Sequence, residues 1–344
     1  MRSVASRRGR RSQGGDIMDR RSFIALSAAT AACTAWPGLA RAQRDDAFPS
    51  RSLRLIVPLA PGGGTDAVSR LVAIEMGHVL GQAVVVENQS GGSGTIGMMT
   101  VVRAAPDGYT LLTGTPSLSI DPSLRHDMKF DPLKDLQPVS LFSKVPYVLV
   151  SSSHLGALTV AQLLAKAKAA PGALTFGSPG VGSGGHLAGE LFQLMAGVKL
   201  THISYKGSGP AMNDLRGGRI DLLFGTTPAV VQFIHAGALH AIGVSSLTRT
   251  RILPEVPAIS ESGVPGYSTY SWYGAWAPAR VPRDVIDKLN AAVRAALDSP
   301  KVRQAIEADG GEPAATTPEA AGRFLQAEIA KWREVIAKAG IKAE

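Results

Sequence analysis

The stretch Pro58-Leu59-Ala60-Pro61-Gly62-Gly63-Gly64-Thr65-Asp66 decides how the chain is read. An aliphatic run over residues 53–59 leads into it and a helical stretch over 66–80 leaves it. Glycines let backbone N–H groups approach a ligand closely, and a helix N-terminus carries about half a positive charge, so a strand, a glycine loop and a helix in that order form an anion cradle. The same residues suit a plain tight turn with Thr65 or Asp66 as helix N-cap. Taken alone, the motif leaves both roles open.

Working outward, short β-like runs alternate with helical stretches, the pattern of an α/β fold with strands buried under helices. A strand is expected at 83–87, a helix at 96–104, a turn at Asp107-Gly108 and a strand at 109–113. The alternation restarts with helices at 160–170, 187–195, 211–215 and 229–236 and strands at 174–176, 202–204, 220–224 and 241–245. Residues 139–151 and 269–277 are extended apolar stretches that break the pattern, and they read as crossings between two lobes. Helices follow at 283–297, 301–308 and 318–339, with Phe324 and Trp332 on the apolar stripe of the last. The expected organisation is a first lobe of residues 43–146 plus 270–344 around a second of 147–269, with a ligand cleft between them.

Composition narrows the function. Residues 1–42 hold eight of the 36 Lys+Arg and two of the 27 Asp+Glu, so without them the formal charge falls from +9 to +3. Those residues read as an upstream extension and a Tat-like signal peptide: Arg20-Arg21 precede a mostly apolar run over 24–39, and Ala40-Arg41-Ala42 suits signal peptidase, with cleavage after Ala42. The apolar run is too short to span a bilayer, which needs about 20 residues. The basicity therefore belongs to the leader, and no clustered basic face speaks for nucleic acid. The sole cysteine, Cys33, also lies there, so the mature chain has no disulfide, thiolate nucleophile or cysteine metal ligand. The expected mature protein is a periplasmic monomer without cofactor or metal.

A second glycine loop, Gly177-Ser178-Pro179-Gly180-Val181-Gly182-Ser183-Gly184-Gly185-His186, again runs from strand to helix. Thr115 and Ser117 follow the third strand, Tyr205-Lys206-Gly207 another, and Thr226 a fourth, all at strand C-terminal ends, where ligands of open α/β sheets gather. Each is singly an ordinary turn or cap residue; together they fall on one edge. His186 with Glu190 one turn on reads as a structural or hydrogen-bonding histidine rather than a general base. No G-x-S-x-G, P-loop or H-E-x-x-H motif occurs. The competing reading is an exported Rossmann-type NAD(P)-dependent oxidoreductase, because Gly62 to Ala67 fits G-x-G-x-x-A and Glu87 ends the next strand. Pro58 and Pro61 interrupt that fingerprint, and with 38 glycines such matches are cheap.

The chain resembles the Bug-type receptors of tripartite tricarboxylate transporters. The matches are Ile56-Val57-Pro58 with Pro61-Gly62-Gly63-Gly64-Thr65-Asp66, Val85-Val86-Glu87-Asn88, Ala104-Ala105-Pro106-Asp107-Gly108-Tyr109-Thr110-Leu111, His186-Leu187-Ala188-Gly189-Glu190-Leu191-Phe192, Tyr205-Lys206-Gly207, Ser271-Trp272-Tyr273-Gly274 and Ala327-Glu328-Ile329-Ala330-Lys331-Trp332. The resemblance implies a type II periplasmic binding protein fold, two doubly wound lobes around a ligand cleft. It also implies capture of a small carboxylate, a di- or tricarboxylate or an aromatic acid, for the membrane subunits of such a transporter. Pro61, Gly62, Gly63, Gly64, Thr65, Asp66, Thr115, Ser117, Ser178, Gly182, Ser183, Gly184, His186, Tyr205, Lys206, Gly207 and Thr226 are the site residues it implies. The chain departs from the family at Phe224-Gly225-Thr226, where many relatives carry an Asp able to meet a ligand ammonium.

Overall fold

A computed structural model describes residues 48–125, 127–156 and 158–342, so the expected leader and its cleavage site lie outside the described residues. Strand β1 (Leu53–Val57) lies between β2 (Val84–Asn88) and β3 (Thr110–Gly114), all parallel. Helix α1 (Gly64–Leu80) connects β1 to β2, and α2 (Thr95–Val102) connects β2 to β3. Val68, Val72, Ala73 and Met76 recur at helical spacing on α1 and are buried against the sheet. Gly81, in the left-handed region at φ 67°, ends that helix as the C-cap.

The chain then enters the 17-residue strand β4 (Leu136–Ser152) through α3 (Ser117–Leu124) and the short α4 (Pro132–Asp135). Between Pro146 and Tyr147 this strand changes partners. Residues up to Pro146 pair with β9 (Tyr270–Pro278), itself antiparallel to β3; those from Tyr147 on pair with β7 (Leu222–Thr226) and β8 (Leu239–Val244). In the second half β6 (Thr201–Ser204), β5 (Thr175–Ser178) and β7 run parallel, interleaved with α5 (Val160–Ala169), α6 (Gly184–Ala196), α7 (Ser208–Arg216) and α8 (Thr227–His235). A capping box of Thr159 and Gln162 starts α5.

After β9 come α9 (Arg283–Asp298), α10 (Pro300–Ala308), a two-residue β10 (Glu312–Pro313) on β4, and the 22-residue α11 (Pro318–Ala339). The last helix serves both halves. Leu325 and Ile329 pack with Leu112, Trp272 and Trp276, whereas Trp332, Val335 and Ile336 pack with Leu187, Phe192 and Tyr267. The β3–α3 region departs from the sequence reading, which left 117–124 without an element. Pro122 lies inside α3 and its intrinsic propensity is poor; burial of Leu118, Ile120 and Leu124 makes it helical.

Candidate functional site

The parallel strands of each half place the loops after β1, β3, β5, β6 and β7 at strand C-terminal ends, where helix N-termini turn back. The first loop is shaped from within. Gly62 has φ 94°, a conformation that favours glycine, and donates its N–H to Asp66 Oδ2 at 3.0 Å. Asp66 also accepts from Arg70 Nε at 3.1 Å and Asn88 Nδ2 at 2.9 Å. Burial opposes ionisation of Asp66, but the bonds from Arg70, Gly62 and Asn88 outweigh it and hold the carboxyl below its ordinary pKa. Asp66 is thus a strut that spreads the loop. The N-cap is Gly63, not Thr65 or Asp66, and no side chain caps this helix. Pro61, Gly62 and Gly63 stay exposed. Glu87, which a dinucleotide site would turn toward a ribose, instead pairs with Arg54 on β1 through two hydrogen bonds of 2.7 Å.

The second loop is held by a stack of rings. His186 and His202 lie face to face at 3.9 Å beside Phe176. His186 Nδ1 accepts from the Gly182 N–H at 3.1 Å, which leaves the proton on Nε2, 3.5 Å from Glu190 Oε1. The Nδ1 lone pair is therefore taken up within the chain, and Nε2 faces Glu190. Fully buried Ser178 meets His202 Nε2 at 2.7 Å and the Gly180 carbonyl at 3.0 Å. Burial, and then the neighbouring His186 ring, push His202 down to about 4. Tyr205 donates to Asp214 at 2.9 Å, and burial raises its phenol to about 12. The Gly207 N–H donates to the Pro179 carbonyl at 3.0 Å, and Lys206 is exposed between them. Ser178, His186 and Tyr205 thus position the loops.

Ser183 is the N-cap of α6, accepting from the His186 N–H at 3.4 Å. Ser183, Gly184 and Thr226 line a cavity of about 150 Å³ with Tyr147, Pro179 and Phe224. Thr226 is directly opposite Tyr147 in the β4–β7 register. A Cβ on Gly184 would collide with the Tyr147 hydroxyl, so the α6 N-terminus needs glycine there to admit the phenol. Thr115 is buried at the mouth of α3 and Ser117 half-buried. Leu124, at the other end of α3, touches the second loop: a Cβ on Gly182 would meet its Cδ2.

Sequence reasoning missed three groups beside these loops. Tyr147 and Tyr273 come from the crossing strands, and both are buried. Burial raises both phenols, Tyr273 to about 12. Asp309, just beyond α10, accepts from the Tyr273 hydroxyl at 3.2 Å. A Cβ on Gly64 would overlap its carboxylate. The signals were present: tyrosines inside two strands already read as crossings, and an acid followed by Gly310-Gly311.

Two parallel half-sheets joined by antiparallel crossing strands, with glycine loops opening onto helix N-termini, define a solute-binding protein of the periplasmic type. The model of the tripartite tricarboxylate transporter family receptors matches residues 68–341, and the chain belongs to that family. It is 38% identical to Protein BugT of Bordetella pertussis over 307 residues, 89% of this chain and 94% of that protein. A protein of R. palustris solved with adipate superposes with a TM-score of 0.74 at 37% identity, over 86% of this chain and 99% of the other. MatC from Rhodopseudomonas palustris with bound malate superposes with a TM-score of 0.70 at 30% identity, over 84% and 100%. The family consists of receptors, so the oxidoreductase alternative is not supported.

Proposed function

We propose that this chain is exported, loses residues 1–42, and captures a small carboxylate between a first lobe of 43–146 plus 270–344 and a second of 147–269, for delivery to the membrane subunits of a tripartite tricarboxylate transporter. The observation that carries the reading is the pairing of two glycine loops, each opening onto a helix N-terminus, with a cavity at the second one lined by Ser183, Gly184, Thr226 and Tyr147. Backbone N–H groups there supply partial positive charge without a formal cation, and an anion withdrawn from water needs that compensation. The R. palustris relatives solved with adipate and malate support a carboxylate as ligand.

A thermal-shift screen of mono-, di- and tricarboxylates tests this. At least one acid should raise the melting temperature in a concentration-dependent way, as mass action requires, and its methyl ester should bind far more weakly. Equal stabilisation by acid and ester, or stabilisation by sugars and cations alone, refutes the carboxylate reading. Intact-mass analysis of the exported chain should find Gln43 at its N-terminus.

A further inference from the structure

The α1 end of the cleft already holds a negative group of the chain's own. Asp309 leaves α10 and lays its carboxylate over Gly64, at the N-terminus of α1, where only a missing Cβ leaves room. Its Oδ2 accepts from the Tyr273 hydroxyl at 3.2 Å, and Tyr147, on the other crossing strand, abuts Gly184 at the N-terminus of α6. The next residue, Gly310, packs so closely on Thr227 of the other half that no side chain fits between them. Each of the two helix N-termini is thus faced by a side chain from elsewhere in the chain, Asp309 at Gly64 and Tyr147 at Gly184, with an acid at the α1 end only.

We propose that Asp309 determines ligand specificity: its carboxylate, standing at the α1 helix terminus, sends the ligand's carboxylate to the α6 loop and selects a ligand whose other end is a hydrogen-bond donor, a hydroxyl or an ammonium. This rests on the carboxylate-receptor reading and refines it. It also supplies the acid that the Phe224-Gly225-Thr226 segment lacks, from a different element. The charged and titratable groups around Asp309 leave its charge unopposed. On α1, Asp66 is tied to Arg70 and Asn88; on β9 there is the neutral phenol of Tyr273; on α10 itself there is Glu307, with Glu312 just beyond. Arg251 and Arg303 line the groove beyond Gly310, and no Lys, Arg or His among the described residues makes an ion pair with Asp309. Burial accordingly raises the carboxyl to about 6, against the bond from Tyr273, which favours the charged form.

The test compares adipate, 6-hydroxyhexanoate and 6-aminohexanoate, with their four-carbon counterparts, by calorimetry at pH 8 on the mature protein and on Asp309→Asn. In the unsubstituted protein the hydroxy or amino acid should bind about tenfold or more tightly than the diacid, because the diacid would place like charges together. Asp309→Asn should reverse that order. A diacid preferred by the unsubstituted protein, with a ratio unchanged by Asp309→Asn, overturns the proposal. Failure of all six compounds would count against the receptor reading, and the empty protein then decides the role of Asp309. A carboxyl whose pKa is raised on folding stabilises fully below its unfolded value near 3.8, and that stability is lost as pH rises through about 6. Asp309→Asn should therefore melt higher than the parent at pH 8, relative to their difference at pH 4. A variant that melts lower at pH 8 would show a stabilising helix clamp and overturn the proposal.

Discussion

At the scale of single residues, the loops are built by side chains that face inward. Ser183 combines two tasks, capping α6 and lining the cavity. The sequence alone suggests that Ser183→Ala weakens ligand binding roughly tenfold, or about 1.4 kcal/mol, with little effect on the empty protein. The observed cap changes the second half of that expectation. The substitution should also cost about 1 kcal/mol of stability, measured by urea unfolding without ligand; an unchanged midpoint would show that the cap contributes nothing. His202 sets a pH dependence. Its folded pKa lies near 4, below the ordinary 6.5, so the stability it contributes is present above 6.5 and lost as pH falls toward 4. His202→Gln keeps a partner for Ser178 and removes the titration. Its melting temperature should therefore decline less than the parent's between pH 7.5 and 4.5, and parallel curves would refute the assignment.

At the scale of elements, α11 is the clearest case of one helix doing two jobs. Its first half covers the Trp272–Trp276 pair and its second half seats Trp332 among Leu187, Phe192 and Tyr267. The Trp332 indole N–H donates to Glu328 Oε2 at 3.1 Å, and Lys331 pairs with the same carboxylate. Trp332 is only 2% exposed, so Trp332→Ala should cost about 3–5 kcal/mol by the loss of transfer energy and the cavity left behind. Denaturant unfolding followed by circular dichroism measures it, and a loss below 1 kcal/mol would mean that the helix end is dispensable. The alternation of strands and helices was readable because each amphipathic period is local. Strand β10 was not readable: two residues carry no period, and only their pairing with Ser143 and Lys144 makes them a strand.

At the scale of the molecule, β4 is the common element of both half-sheets, and its change of partners at Tyr147 places the phenol against Gly184 of the second glycine loop. Gly182, at φ 75°, rests on Leu124 of α3, so an added side chain meets both backbone strain and the Leu124 side chain. Gly182→Val should hold the halves apart, enlarge the radius of gyration in X-ray scattering, and weaken the stabilising acid by roughly tenfold or more through the lost closed state. Unchanged scattering and affinity would show that this contact has no part in closure.

The sequence by itself determined the α/β class, the glycine loops and their attachment to helix N-termini, and the family resemblance. All three are written in residues close together in the chain: a period, a run of glycines, a cap. The tertiary structure decided what each polar residue of the loops faces. Asp66, Ser178, His186 and Tyr205 look alike in sequence to residues that meet a ligand, and their partners are Arg70, His202, Glu190 and Asp214. The side chains that do reach the helix termini, Tyr147 and Asp309, lie far from those loops along the chain. Proximity of that kind depends on the strand order and on the space left by Gly64 and Gly184, and no local pattern encodes it.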